Sequence, residues 1–231
     1  MIKDLINLDN RIFLQLNGSD SVFWDSYMWY VTQTVTWIPL LCVLLLIVVK
    51  NSQWQRTLLF VTGLGLTILL ADRISSGLIK PMVHRWRPTH DVTFLHTIDT
   101  VFGYTGGRFG FVSSHAANTF ALFTFVSMCL RNRLAALCLL LWAIVSSYSR
   151  VYLGVHYPGD ILCGAILGVL VGFIVYALYN CASRHLALGR QYYSTAYTSS
   201  GFLISDMNML AFALFATYSL LFIFSAIMAL L

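Results

Sequence analysis

The sequence predicts an all-α membrane protein: a polytopic bundle of six transmembrane helices behind an N-terminal interfacial amphipathic helix. Three observations predict it. Of the 231 residues 58% are hydrophobic and only 10% charged, with a mean hydropathy of +0.76, where a soluble domain carries about a quarter charged residues. Six apolar stretches, near 29–49, 57–79, 112–130, 134–149, 159–180 and 207–231, approach the roughly 20 residues that cross ~30 Å of hydrocarbon. The length leaves no room for a second sizeable domain, so residues 1–231 read as one integral-membrane domain.

The first twenty residues interleave Lys3, Asp4, Asp9 and Arg11 with Ile2, Leu5, Ile6, Leu8, Ile12, Phe13 and Leu16. Without an apolar h-region or small-residue cleavage site they are not expected to be a cleaved signal peptide. The pattern suits a short helix lying in the interface, ended by Asn17-Gly18. Trp24, Tyr27, Trp29 and Tyr30 are expected to form an aromatic belt at the mouth of span one, and Pro39 to kink that span.

Span two contains Asp72 and Arg73. Arg73 and Lys80 are seven apart and share a helix face, so Arg73 is expected to point into the bundle, with Asp72 paired to it or to another internal polar group. Span five carries Gly164, Gly168 and Gly172 at four-residue spacing, which predicts close helix approach inside the bundle rather than dimerisation. Cys42, Cys129, Cys138, Cys163 and Cys181 show no metal-ligand spacing and read as inert core thiols.

Six spans place the N-terminus, the 80–112 loop and the 149–160 loop on one side. The opposite face receives Lys50, Arg56, Arg131, Arg133, Arg184 and Arg190, against Lys3, Arg11, Lys80, Arg85, Arg87, Arg108 and Arg150. With Lys80, Arg87 and Arg150 set aside as site residues, six stand against four. The six lie in the shorter connections, where the positive-inside rule works best, so the polar face is expected to look outward, toward the periplasm. All nine acids are Asp, and no basic run points to nucleic acid.

The chemistry-bearing residues gather in three segments on that polar face. In the last, His156 precedes Pro158, a residue favoured in a first helical turn, and Asp160 lies four positions on. Asp160 can then hold one imidazole nitrogen and leave the other free to attack, although such a pair is also a common structural contact. The helix N-terminus beside them suits phosphate. Arg150 ends a span where an uncompensated charge is costly, and its planar fork can hold two phosphate oxygens. Lys80 and Arg87 add two cations at the end of span two; interfacial snorkelling would account for Lys80 and Arg85. Ser113 and Ser114 can cap span three and cradle phosphate oxygens, and His115 follows, placed to protonate a leaving oxygen. His84, His90 and His96 recur every six residues but match no zinc pattern, and no metal is expected.

Lys80-x6-Arg87-Pro88, Ser113-Ser114-His115 and Ser149-Arg150-x5-His156-x3-Asp160 resemble the three-part motif of the type 2 phosphatidic acid phosphatase superfamily, over about residues 60–180. One departure is that the family's Pro-Ser-Gly-His is here Val112-Ser113-Ser114-His115. The resemblance implies a lipid phosphatase without a metal or other cofactor. It implies that His156 attacks phosphorus to form a phosphohistidine, oriented by Asp160, and that His115 protonates the leaving group and later activates water. Lys80, Arg87, Ser113, Ser114 and Arg150 would hold the phosphate. Implied substrates are undecaprenyl diphosphate, lipid A phosphates, phosphatidylglycerophosphate and phosphatidic acid, and an envelope lipid of a bacterial inner membrane is expected. Between undecaprenyl diphosphate and lipid A the residues offer no physical choice. A non-catalytic lipid-phosphate binder or flippase is the alternative. The Gly-rich aromatic loop Phe102–Phe111 reads as a lid, a headgroup contact or an ordinary loop.

Overall fold

A computed structural model describes residues 2–94, 97–186 and 194–231. Among them the chain is helical. Five helices are long and apolar enough to cross a membrane: Thr34–Asn51, Trp54–Val83, Arg133–Tyr152, Pro158–His185 and Ile204–Met228.

Helix α1 (Ile2–Leu16) carries one fully buried side chain, Phe13, packed edge-on against Phe94 and Tyr157. Leu5, Ile6, Leu8, Ile12, Leu14 and Leu16 stay exposed. The helix stops at Gly18, whose φ of +60° suits only glycine readily, and whose N–H bonds the Tyr152 carbonyl at 3.0 Å.

The expected first span is two pieces. Helix α2 (Val22–Thr32) begins at the Ser21 cap and ends at an extended Gln33. A 3₁₀ turn, Thr34–Trp37, leads into α3 (Ile38–Asn51). Pro39 therefore starts a helix instead of kinking one, because a first-turn residue needs no N–H. Of the expected aromatic belt, Trp24 and Tyr27 lie on α2 beside Phe23, which packs on Phe222, and Tyr30 packs on Phe224.

Span two is α4 (Trp54–Asp72), a π-helical stretch Arg73–Ile79, and a last short turn, α5 (Lys80–Val83). The wider π turns break the face that Arg73 and Lys80 would share. Arg73 is exposed instead of pointing into the bundle. It stands about 28 Å along the helix from Trp54. Asp72 accepts from the Ser76 hydroxyl at 3.1 Å.

Helices α6 (Ser114–Leu130), α7 (Arg133–Tyr152), α8 (Pro158–His185) and α9 (Ile204–Met228) complete the chain. Helix α6 packs against α4, α7 and α8, and its Ala116, Ala117 and Ala121 are fully buried. The three glycines of α8 explain the closeness. A Cβ at Gly164 would sit 2.5 Å from the Ser113 carbonyl, one at Gly172 2.5 Å from that of Ala121, and one at Gly168 would strike that of Ala117. This backbone approach holds the first turns of α6 and α8 together. The core continues through Ile47, Phe60, Phe125, Val175 and Leu210. Cys129 and Cys138 belong to it, while Cys42 and Cys181 are exposed on the outside of their helices, contrary to the expectation of five core thiols. Arg190 lies outside the described residues.

Candidate active site

The predicted residues meet at one end of the bundle. Asp160 sits in the first turn of α8, behind Pro158, and its Oδ2 accepts the Tyr157 N–H at 3.1 Å. The same oxygen lies 3.4 Å from Nδ1 of His156. His156 and Asp160 are 1% and 0% exposed. Burial first, then the positive charges of Arg87, Arg150 and Lys80 and proximity to His115, push the His156 pKa well below its ordinary value. The imidazole is therefore neutral at physiological pH. With Nδ1–H donated to Asp160, Nε2 keeps its lone pair.

Ser113 caps α6, accepting from Ala116 N at 3.4 Å, and its own N–H bonds the Asp160 carbonyl at 3.0 Å. That bond joins the second and third segments through backbone. His115, the second residue of α6, places Nε2 2.9 Å from the Ser146 hydroxyl of α7. Ser114 points elsewhere: its hydroxyl is 2.7 Å from that of Ser76 on the π-helical stretch.

The cations are held differently. Extended residues 85–87 run antiparallel to 108–110, with Arg87 N–H to the Arg108 carbonyl at 3.2 Å and Gly110 N–H to the Arg85 carbonyl at 2.8 Å. Arg87 is 7% exposed and donates Nε to the Phe109 carbonyl, but its Nη1 is buried without a partner. Burial and the neighbouring Arg150 charge lower its pKa to about 10, so it remains charged at neutral pH. Arg150 donates Nη1 to Thr32 and Nη2 to the Tyr104 hydroxyl, at 3.0 and 3.2 Å, while its Nε is buried and unpaired. Burial raises the Tyr104 pKa, yet the charge and hydrogen bond of Arg150 and the charge of Arg87 leave it below its ordinary value. The loop Phe102–Phe111 thus forms a wall of the site, tied to Arg87 and Arg150, with Arg108 stacked over Trp86.

Arg85 does not snorkel. Its Nη1 donates to Asp160 Oδ1 at 2.8 Å, its Nη2 to Asp9 Oδ2 at 2.7 Å, and its guanidinium lies 4.0 Å from the centre of the Tyr157 ring. Burial lowers its pKa, and Asp160 and Asp9 more than reverse that. Asp9 also accepts the Gly159 N–H at 2.7 Å. Sequence reasoning missed Arg85, Asp9, Ser146, Thr32 and Tyr104, all of which touch site residues from elements far away in the chain. The position of Arg85, two before Arg87 in an extended stretch, was the only available signal: alternation puts both on one side.

Of the three regularly spaced histidines, His84 packs edge-on to Phe109, His90 contacts the Thr89 hydroxyl, and His96 lies outside the described residues. Among the described residues no three His, Cys or acidic side chains are arranged to hold a metal.

The profile of the PAP2 superfamily matches residues 56–184, which includes all three segments. The chain is 38% identical to lipid A 4'-phosphatase of Bacteroides thetaiotaomicron, over 80% of this chain and 83% of that protein. It is 32% identical to the Porphyromonas gingivalis protein of the same name, over 76% and 74%. Its fold resembles the crystal structure of Aquifex aeolicus LpxE at a TM-score of 0.54 and 22% identity, covering 74% of this chain and 95% of that one.

Proposed function

The chain belongs to the PAP2 superfamily, and from that premise we propose that it is a phosphatase of the bacterial inner membrane that removes a phosphate from lipid A, with its site on the periplasmic side. The single observation that carries the chemistry is the company His156 keeps. A neutral imidazole, set against Asp160 at 3.4 Å, lies within the field of two guanidinium groups, Arg87 and Arg150, each with one buried nitrogen unpaired among the described residues. Unpaired buried donors are costly, and phosphate oxygens would satisfy them.

In this reading Nε2 of His156 attacks phosphorus and the P–O bond to the lipid breaks, giving a phosphohistidine. His115 protonates the departing oxygen, then takes a proton from the water that frees phosphate. Asp160 keeps the proton of His156 on Nδ1 and stabilises the imidazolium that forms. Arg87, Arg150, Lys80, the Ser113 hydroxyl and the N–H of Ser114 hold the three equatorial oxygens. Each well-placed donor contributes about 3 kcal/mol at the transition state. This is the electrostatic role that divalent cations fill in other phosphoryl transfers.

The lipid A assignment is supported by the identities of 38% and 32% to proteins named for that activity. A bundle of six spans, α6 among them, would keep the acyl chains in the bilayer, and α1 would lie in the interface with its exposed leucines in lipid. The test is phosphate release by the purified full-length protein from lipid A, undecaprenyl diphosphate, phosphatidylglycerophosphate and phosphatidic acid, with EDTA present. Release from lipid A that resists EDTA and vanishes in His156→Ala is expected. Faster release from undecaprenyl diphosphate would reassign the substrate. No release from any of them by folded protein would leave a binding or flipping protein.

A further inference from the structure

At the opposite end of the bundle, three arginines converge on a cavity of about 250 Å³. Arg56 comes from the first turn of α4, Arg131 from the cap that ends α6, and Arg184 from the last turn of α8. A cation at a helix C-terminus offsets the helix dipole, which accounts for Arg131 and Arg184 one at a time. It does not account for Arg56 at a helix start, nor for all three lining one space.

Two of the guanidiniums are fixed in place. Arg56 donates Nη2 to the Ser200 carbonyl at 2.8 Å and Nε to the Tyr179 hydroxyl at 3.3 Å, over the face of Phe202. Arg131 donates Nη2 to the Tyr176 hydroxyl at 2.8 Å. Arg184 makes no hydrogen bond or ion pair among the described residues. Among those residues, too, no acid lines the cavity. At this end of the bundle Asp206 already serves Lys50 and Asn51, each at 2.7 Å. Arg131 and Arg184 are exposed and Arg56 is half-buried; three like charges thus share a small space with no described residue of opposite sign, and an anion bound among them would relieve their repulsion.

We propose that this cavity is a second binding site, distinct from the catalytic one, that takes a phosphate group. Guanidinium forks grip phosphate oxygens in pairs, the tyrosine and serine hydroxyls supply further donors, and basic pockets between helix ends are suited to anionic headgroups. The phosphate can come from an anionic glycerophospholipid of the leaflet opposite the active site or from free inorganic phosphate.

The test uses full-length protein in detergent, with the affinities of dioctanoylphosphatidylglycerol, dioctanoylphosphatidylcholine and inorganic phosphate measured by calorimetry. Wild type is compared with Arg131→Gln/Arg184→Gln and with Arg133→Gln, which lies outside the cavity. The expected result is at least tenfold weaker binding of phosphatidylglycerol or of phosphate in the double variant, with Arg133→Gln and lipid phosphatase activity unchanged. Preserved activity keeps the catalytic site out of the comparison. Phosphatidylglycerol binding that millimolar phosphate does not displace identifies a headgroup site; displacement identifies a site for the free anion. Equal affinities in wild type and double variant, or no preference for phosphatidylglycerol over phosphatidylcholine together with no phosphate binding, overturn the proposal. Should the double variant misfold, Arg184→Gln alone removes no internal contact among the described residues, and the same tenfold criterion applies to it.

Discussion

Arg85 holds the far oxygen of Asp160 at 2.8 Å, so the carboxylate that faces His156 is itself fixed from behind. Besides His156 itself, this contact and the Tyr157 N–H hold the Asp160 side chain in its orientation among the described residues. Losing a hydrogen bond to a charged group costs about 1.5–3 kcal/mol, which as a barrier is roughly 10- to 100-fold in rate. Arg85→Ala is expected to lower kcat by that factor with KM nearly unchanged, and Arg85→Lys to recover part of it. Asp9→Asn should cost less, and the Arg85→Ala/Asp9→Asn double variant should fall short of the product of the two effects, because both act through one network. Steady-state kinetics on the four proteins decide it. A proportional rise in KM instead would place Arg85 on the substrate.

The acid limb of the pH profile should differ between kcat/KM and kcat. In the free enzyme, burial and the Arg87, Arg150 and Lys80 charges depress the His156 pKa. Protonation removes the nucleophile, so activity is lost as pH falls through that depressed value, and the limb of kcat/KM should lie below pH ~6.5, the ordinary histidine value. A bound phosphate anion offsets those cations and raises the His156 pKa, so the limb of kcat should sit at higher pH. Coincident limbs above pH ~6.5 would rule out His156 as the group that titrates.

Gly164 and Gly172 face the same kind of obstacle, a carbonyl oxygen 2.5 Å from where an alanine Cβ would stand, but only the first adjoins the site. Overpacking of this kind costs typically about 1–3 kcal/mol, so Gly164→Ala and Gly172→Ala should lower thermal stability similarly. Gly164→Ala should in addition lose activity in the surviving folded protein, because it pushes on the Ser113 end that bonds Asp160. Equal specific activities in the two variants would show that the contact between α6 and α8 does not tune the site.

Ser114 and Ser113 are adjacent but should respond differently. The Ser114 hydroxyl is spent on Ser76, and Gly keeps the backbone N–H, so Ser114→Gly should hold kcat/KM within about threefold, well under the roughly 1.4 kcal/mol that a tenfold change represents. Ser113→Ala removes a helix cap worth about 1 kcal/mol and should lower both stability and turnover. A large loss in Ser114→Gly would place its hydroxyl on the phosphate.

Much of this was legible because it is local. Hydropathy marked the helices, and the pairing of His156 with Asp160 follows from Pro158 opening α8 within one turn. The break at Gln33 was not legible, since an average over twenty apolar residues does not register one extended residue between two helices. The exposed Arg73 was misplaced for a related reason: a seven-residue repeat assumes α geometry, and the π-helical stretch changes it. Arg85 looked like a surface cation because its two carboxylates lie 75 and 76 positions away. Contacts at that separation leave no periodic trace in a sequence.

The Asp9–Gly159 bond joins residues 150 positions apart, and that separation is also an interval of synthesis. Helix α1 leaves the ribosome first; its Asp9 carboxylate can meet Arg85 once residue 85 has emerged, but it can meet Gly159 only when α8 has begun. Until then Arg85 has no Asp160, and His156 does not yet exist. A chain only partly threaded into the bilayer therefore holds no assembled nucleophile, and the site is completed late, when the first helix closes over the start of α8.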